Sequence, residues 1–364
     1  MLQSLLRDRK LLILLLLAIL IKVFSLNAGW VERYYTYGFY PFISKILRAV
    51  LGWIPFSVGD ILYISAFIFF VAKAWKLIRL LAKRQVKEYL SWILFRKYLR
   101  LVLWIYIVFN LGWGLNYDRQ GIAHQLGLQV AVYSNQELFK LTSVLAQRLN
   151  YYASLQDTVK RLELDKNRTL FEQAKKDYEK AKGKYPFLAY SFPSVKPSIF
   201  SGAGHYFGFS GYLNPFTGEA QINTDEPVFT KPFVINHEIG HQLGYGKEYE
   251  ASFVSFLACK NSDNMDFRYS LYYELFFNAL HECMMTRDTS FISLLKKNLH
   301  PRVRNDKLAE IQFRTRRKNN MQPYVSEFYN NYLKMNNQPE GLRSYDEVIA
   351  WLVAFMKKYG EEEL

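Results

Sequence analysis

The first 117 residues contain three apolar stretches, which are separated by an aromatic loop and a basic loop. A helix needs about 20 mostly apolar residues to cross the hydrocarbon core of a bilayer. We therefore expect an α-helical membrane anchor with three transmembrane helices, at about residues 11–28, 57–80 and 98–117. A signal peptide is the alternative for the first stretch, but Leu26-Asn-Ala28 is a poor cleavage site.

The loop at residues 29–56 is rich in aromatic side chains, which favour the boundary between membrane and water. Within it, Ile43, Ile46, Leu47 and Val50 recur at helical spacing. This pattern indicates a short amphipathic helix that lies on the membrane surface. The alternative is a helix that packs on the globular part of the chain.

The chain carries a net charge of +15, and its basic residues are unevenly distributed. Residues 73–100 contain nine lysines and arginines, whereas residues 29–56 contain three. Because cytoplasmic loops carry the excess of Lys and Arg, we expect a cytoplasmic N-terminus and an extracytoplasmic segment after residue 117. The charge thus indicates topology and contact with a lipid bilayer. No nucleic-acid motif accompanies it, so we expect no nucleic-acid partner.

Residues 118–364 have the pattern of a globular domain. Ser134 and Glu137 form a capping box ahead of an apolar stripe, which predicts a helix at residues 134–153. Residues 186–232 lose helical periodicity and are dense in Gly and Pro, which predicts a small sheet with turns. We therefore expect an α+β domain that is mostly helical.

The most specific motif is His-Glu-x-x-His at residues 237–241. Residues four apart share a helix face, so the imidazoles of His237 and His241 can bind one metal ion. Glu238 can reach a metal-bound water without being a ligand, as a general base requires. Zn²⁺ suits such ligands and leaves one position for water in catalytic sites. The alternative is a surface helix with two solvated histidines, but the segment is apolar around both.

A third ligand is expected from the next predicted helix, where Glu248 and Glu250 are both candidates. Metzincins have a third histidine where Lys247 stands here, and an ammonium cannot bind a metal. The segment Glu248-Tyr-Glu-Ala-Ser252 instead resembles the Glu-x-x-Ala-Asp element of membrane gluzincins of the CAAX-protease type. That resemblance implies Glu248 as the third ligand. In those proteins the last residue of the element supports a ligand histidine from behind, and the match departs at Ser252, where Asp or Asn would be usual.

A hairpin precedes the metal motif, with a predicted turn at Asn214-Pro-Phe-Thr-Gly218. In zincins, the edge strand before the metal helix pairs with an extended peptide, so that the main chain supplies affinity. The resemblance therefore implies that a peptide or protein substrate binds here, with Tyr212, Asn214 and Asn223 as the candidate contacts. The alternative is a structural hairpin that binds no ligand.

Two further groups of residues remain open. Two buried free thiols are the simpler interpretation of Cys259 and Cys283, and a disulfide between them is the alternative if the domain is extracytoplasmic. Tyr269, Tyr272 and Tyr273 are candidates for a phenol that stabilises an oxyanion, with core packing as the default.

The larger pattern resembles a bacterial family of uncharacterised membrane proteins, known mostly from Bacteroidetes, with a zincin-like domain behind three membrane helices. The resemblance rests on Trp113-Gly-Leu-Asn-Tyr117, on the hairpin turn with Glu219, on the His-Glu-x-x-His helix, and on Cys259 followed by Phe267-Arg-Tyr-Ser. It implies a multi-pass protein of the bacterial inner membrane whose C-terminal domain is periplasmic.

Taken together, these patterns predict a membrane-anchored zinc metallopeptidase. His237, His241 and Glu248 would hold Zn²⁺, and Glu238 would be the general base. A membrane-tethered scaffold with a structural or absent metal is the first alternative, in which Glu250 or His205 would close the metal shell. The second is an amidase that acts on cell-wall peptide.

Overall fold

The computed structural model describes residues 8–83, 92–341 and 347–364, apart from the side chains of Ile93, His205 and Phe207. The described chain is mostly helical. Its α-helices are α1 (Arg9–Ser25), α2 (Ala28–Trp30), α3 (Tyr40–Leu51), α4 (Val58–Ala82), α5 (Trp92–Gly112), α6 (Ile122–Leu126), α7 (Asn135–Ser154), α8 (Thr158–Glu163), α9 (Asn167–Lys184), α10 (Ser201–Phe207), α11 (Lys231–Gln242), α12 (Glu248–Cys259), α13 (Met265–Met285), α14 (Thr289–Lys297), α15 (Pro301–Thr315), α16 (Gln322–Met335) and α17 (Val348–Tyr359). A π-helical stretch, Val31–Phe39, joins α2 to α3, and 3₁₀ helices span Gly114–Asp118, Pro186–Leu188 and Glu361–Glu363.

A small sheet contains β1 (Val195–Pro197), β2 (Gly211–Leu213) and β3 (Ala220–Ile222). The central strand β3 runs parallel to β1 and antiparallel to β2, and Tyr212 lies opposite Gln221. The side-chain oxygen of Asn214 accepts hydrogen bonds from the backbone N–H groups of Phe216 and Thr217, which fixes the turn between β2 and β3. The prediction of a mostly helical domain with a small sheet and this hairpin is confirmed.

The expectation of three transmembrane helices is wrong. Within the described ranges, α4 is the helix that is long and apolar enough to cross a membrane. A second span exists only if α1 and the segment Ala28–Leu51 are counted as one bent span. By itself α1 has 17 residues and extends about 26 Å, which is less than the thickness of a typical hydrocarbon core.

The third predicted span fails for two reasons. Arg96, Lys97 and Arg100 all lie in the first half of α5, so its apolar part is confined to residues 101–111. Eleven helical residues extend about 16 Å, roughly half of what a span requires. The residues that follow, Gly114–Asp118, form a 3₁₀ helix that is mostly buried against the domain instead of continuing the helix.

The predicted interfacial loop at residues 29–56 is largely helical. Ala28–Leu51 is bent by 97° relative to α1. One side of this segment packs on the domain, where the buried carboxylate of Glu32 pairs with the buried guanidinium of Arg119 at 3.0 and 3.1 Å. One face of the segment therefore contacts the domain, as the second alternative predicts, and contact of the exposed face with a membrane stays a prediction.

The buried apolar side chains form two clusters. The smaller cluster joins α1, the Val31–Phe39 stretch and the end of α5, and the larger one extends from Ile122 to Leu364. α7 begins at Asn135 with the capping box predicted for Ser134 and Glu137, and it packs along α13 in the larger cluster.

Cys259 and Cys283 lie in this larger cluster as buried free thiols.

Candidate metal centre

The metal motif lies on α11, which begins with Pro232 in its first turn and ends before a sharp reversal at Gly244. Gly244 has φ +90°, and a Cβ there would come within 2.9 Å of Asn116 Oδ1, so only glycine fits this turn. The reversal returns the chain as α12 alongside α11. The two helices approach closely at Gly240, where a Cβ would lie 3.3 Å from the Ala251 Cα.

His237, His241 and Glu248 converge at this helix pair. The Glu248 Oε2 atom lies 3.0 Å from His237 Nε2 and 3.5 Å from His241 Nε2. One ligand atom from each residue lies within 4.8 Å of the others, and all three side chains are buried. This arrangement of two imidazoles and a carboxylate is the donor set that zinc prefers.

The other ring nitrogen of each histidine has a partner that orients the ring. His241 Nδ1 lies 2.7 Å from the carbonyl oxygen of Tyr245, which can only accept, so His241 Nδ1 carries hydrogen. His237 Nδ1 lies 3.2 Å from Ser252 Oγ. Ser252 therefore stands where the resemblance implied a supporting residue. Both Nε2 atoms face the cluster with Glu248.

Burial and charge act differently on the three groups. Burial lowers the pKa of His237. Burial also opposes protonation of His241, but the Glu248 carboxylate outweighs it and raises the pKa of His241 to about 9. Burial disfavours the charged form of Glu248, yet His241 and His237 hold its pKa well below the usual range. The cluster therefore keeps a charged carboxylate in a buried position, which a cation binds readily.

Glu238 lies beside the cluster and not in it. Its side chain is 4 % exposed, and no described residue hydrogen-bonds to its Oε2 atom. A Cβ at Gly211 of β2 would lie 2.7 Å from Glu238 Oε1, so the carboxylate packs directly against the edge strand. Burial raises the pKa of Glu238 to about 8. A buried carboxylate with an unpartnered oxygen and a pKa near neutrality is suited to proton transfer.

Two residues from the C-terminal part hold Glu248 in place, and sequence reasoning missed both. The Tyr329 hydroxyl donates to Glu248 Oε1 at 2.9 Å, and Gln338 Oε1 accepts from the Glu248 backbone N–H at 3.0 Å. No local pattern could have found Tyr329, because it lies 81 residues beyond Glu248 in a chain with 27 tyrosines.

The tyrosines considered from the sequence lie in the core, away from the cluster. Tyr269 and Tyr273 donate hydrogen bonds to carboxylates of α15, and Tyr272 donates to the backbone oxygen of Leu364. All three are almost fully buried.

Glu250 is buried but points away from the cluster. Its carboxylate lies against Gly121 and accepts a hydrogen bond from the Ile122 backbone N–H, near the guanidinium of Arg119. Burial raises the pKa of Glu250. Of the two candidate carboxylates, only Glu248 lies with the histidines. The side chain of His205 is outside the part of the chain that the structure describes.

The predicted substrate contacts all lie on or beside the hairpin. Tyr212 is on the edge strand β2, and its hydroxyl donates to Asp60 and contacts Ser198 Oγ at 2.8 Å. Asn214 and Asn223 are fully buried and use their amides within the hairpin and its following turn. A role for these three residues in substrate binding stays a prediction.

In the part of the chain that the structure describes, the protein is mostly helical, with one candidate membrane-spanning helix, or two if the bent pair is one span, and a buried His-His-Glu cluster beside the edge of a small sheet. The chain belongs to the family described as "Protein of unknown function (DUF3810)", whose model matches residues 35–353. The expectation of an uncharacterised family is thus confirmed. No curated protein and no solved structure matches the chain.

Proposed function

We propose that this protein is a membrane-anchored zinc metallopeptidase of the zincin type. The observation that supports this best is the placement of Glu238. Its buried carboxylate has an unpartnered oxygen and lies between the His237–His241–Glu248 cluster and the edge strand β2. A merely structural metal site needs no such group, whereas hydrolysis needs a general base at this point. The motif likeness to gluzincins and to Bacteroidetes-type membrane proteins agrees with the proposal.

The described residues fit zinc. Two imidazoles and one carboxylate supply three ligands, which is typical of catalytic zinc sites that keep a position for water. Glu250 does not complete a fourth position, because its carboxylate faces the Gly121–Ile122 turn. When bound, zinc would supply Lewis acidity, which lowers the pKa of a water molecule and polarises a carbonyl group.

Glu238 would move the proton in this reaction. Its carboxylate accepts a proton from water as the water oxygen bonds to the carbonyl carbon of the peptide. The C–N bond then breaks with its electron pair going to nitrogen, and Glu238 gives the proton to that nitrogen. The products are a carboxylate and an amine. Burial raises the pKa of Glu238 above that of a free carboxyl group, which makes it a stronger proton acceptor.

The edge strand β2 supplies a place for an extended peptide. The backbone N–H groups of Asn214 and Asn223 bond to Glu219 O and Ser210 O, so the hydrogen-bonded pairs of this hairpin fall at even positions of β2. The N–H and C=O groups of Gly211 and Leu213 consequently point away from β3, toward the edge of the sheet that no other described strand covers. A peptide that pairs with this edge passes Glu238, because Gly211 touches the carboxylate. A free edge favours a peptidase over an amidase for branched cell-wall peptide.

The two ends of α4 differ in charge, and this difference supports an orientation of the helix in the membrane. Its first turn docks on the sheet through hydrogen bonds of Val58 and Gly59 to the Glu219 carboxylate, while Lys73, Lys76 and Arg79 lie toward its other end. Positive residues favour the cytoplasmic side. We therefore propose a protein of the bacterial inner membrane, with the bilayer as a partner and the basic end of α4 on the cytoplasmic side.

Metal content of the purified protein tests the site. We expect one zinc per chain, lost in His237→Ala and Glu248→Ala and kept in Glu238→Gln, which should lack hydrolysis. Glu250→Gln is the matched control, since it changes a buried glutamate two residues away and should keep both zinc and activity. A wild type that binds no zinc, or a fully active Glu238→Gln variant, would contradict the proposal and leave the scaffold alternative.

A further inference from the structure

The exposed and buried faces of α3 are the reverse of those on a helix of a water-soluble protein. Its buried stripe is polar, with Tyr40, Ser44 and Arg48 at 3–4 % exposure. Its outward stripe of Phe42, Ile46 and Val50 is apolar and exposed, and Lys45 is the charged residue beside it. A helix that faces water shows polar residues outward. The reversed pattern indicates contact with lipid.

The direction of this segment agrees with a position at the membrane surface. Ala28–Leu51 is bent by 97° relative to α1, so it lies in the membrane plane when α1 stands along the membrane normal. The aromatic side chains of Trp30, within the segment, and of Trp53 and Phe56, just after it, are exposed, and such residues concentrate at the membrane–water interface.

The buried face of α3 touches the metal helix. The Tyr40 hydroxyl donates to the backbone oxygen of Gln242 at 2.8 Å, and Ser44 Oγ donates to the same atom at 3.2 Å. Gln242 directly follows the ligand His241. Because a helix with its side chains is about 10–12 Å wide, this ligand lies about one helix diameter from the lipid that α3 contacts.

A second set of contacts connects the first turn of α4 to Glu238 through the sheet. Asp60, in the first turn of α4, is fully buried and accepts a hydrogen bond from the Tyr212 hydroxyl. The neighbour of Tyr212 is Gly211, which touches Glu238 on the opposite face of the sheet. Measured along these contacts, from Asp60 through Tyr212 and Gly211 to Glu238, the two carboxylates are at most about 17 Å apart. The apolar residues of α4 begin immediately after Asp60, at Ile61.

The edge strand also points toward α5. Leu213, at the end of β2, packs against the cluster that contains Ile107 and Trp113 of the α5 region. In the following turn, the ring of Phe216 lies 6.4 Å from that of Phe109. A peptide paired with β2 therefore runs from the solvent side of the domain toward the end of α5.

We propose that the substrate is the membrane-proximal segment of an anchored polypeptide, cut about five to ten residues from the membrane surface. This inference rests on the proposed peptidase function. An extended chain advances about 3.3 Å per residue, so about five residues cover the distance from the interface to Glu238. Anchoring in the same bilayer raises the effective concentration of such a substrate, whereas a free peptide gains nothing from this placement.

The test uses the full-length protein, loaded with zinc, in vesicles of phosphatidylethanolamine and phosphatidylglycerol. The substrates are a library of random 20-residue peptides that carry an N-terminal palmitoyl group, the same library with an acetyl group, and the library fused to an apolar 20-residue helix. Mass spectrometry locates the cuts. We expect both anchored libraries to be cut at least tenfold faster, at a fixed distance from the anchor. A five-residue spacer after the anchor should move the cut by five positions in the library sequence.

The outcomes separate the two proposals. Cuts scattered along the peptides, or equal rates for acetylated and anchored libraries, would overturn the membrane-proximal substrate and leave the peptidase function standing. Cleavage no faster than with Glu238→Gln in every library would overturn the peptidase function itself.

A measurement independent of activity tests the geometry. A fluorophore on Ile46→Cys, which is 43 % exposed on the apolar stripe of α3, should be quenched by lipids with a quencher near the headgroup. The same fluorophore on Val132→Cys, 99 % exposed on the domain, is the matched control and should not be quenched. The two native cysteines are buried and should not react. Equal quenching at both positions would overturn the inference.

Discussion

Gly211 and Glu238 are in direct contact, although they belong to different elements. A Cβ atom at Gly211 would lie 2.7 Å from Oε1 and 2.8 Å from Cγ of Glu238. Real Cβ atoms do not approach other heavy atoms this closely, so any larger residue displaces either the edge strand or the carboxylate. The absence of a side chain at position 211 thus sets the position of the proposed general base.

Gly211→Ala should keep zinc and lose activity. We expect kcat/KM for a peptide substrate to fall about 100-fold, because a shift of about 1 Å in a catalytic group costs this much. Bound zinc should stay at the wild-type level, since no metal ligand contacts Gly211. Gly183→Ala is the matched control, because a Cβ there meets no atom within 4 Å. Full activity of Gly211→Ala would show that the Glu238 position does not matter.

Tyr329→Phe should weaken metal binding. The phenol donates to Glu248 Oε1, and loss of such an orienting bond typically costs 10- to 100-fold in metal affinity. Competition with a chelator of known affinity measures the change. Tyr324→Phe on the same helix is the control, because this side chain is 68 % exposed. An unchanged zinc affinity in Tyr329→Phe would mean that Glu248 needs no support from α16.

Asp177 should make the stability of the domain depend on pH. Burial raises its pKa to about 7, although Ser262 and Gln173 hydrogen-bond to it. The folded protein therefore holds a proton that the unfolded chain releases between about pH 4 and pH 7. Stability falls as the pH rises through this window, by up to about 4 kcal/mol, and is constant above it.

Asp177→Asn should remove this dependence. The melting temperature of the detergent-solubilised variant should stay nearly flat from pH 4.5 to 7.5, where that of the wild type declines. Glu163→Gln is the control, because this carboxylate is on the surface and should leave the wild-type slope unchanged. A variant with the wild-type slope would assign the pH dependence to another group.

Glu32→Ala should destabilise the contact between the segment Ala28–Leu51 and the domain. It leaves the buried guanidinium of Arg119 without its carboxylate, and breaking one side of a buried pair costs about 3–5 kcal/mol. Glu32→Gln should cost less, because an amide oxygen still accepts a hydrogen bond. Thermal unfolding in detergent measures both. A loss in Glu32→Ala no larger than in Glu32→Gln would show that the charge of Glu32 is unimportant.

Local patterns predicted the local structure well. The capping box of Ser134 and Glu137 and the turn at Asn214 depend on residues within four positions, and both form as expected. The span prediction failed because hydrophobicity was judged over whole stretches. Arg96, Lys97 and Arg100 shorten the apolar part of α5, and the residues after Gly112 turn into the domain.

The sequence by itself determined the placement of His237 and His241 on one helix face, because a spacing of four is a property of any helix. Only the tertiary structure decided between Glu248 and Glu250, brought Tyr329 to Glu248, and set Gly211 against Glu238. The same holds for α3, whose polar face is buried against Gln242 while its apolar face stays exposed. These relationships join segments far apart in the chain, and which of them meet depends on how whole elements pack, which no local spacing encodes.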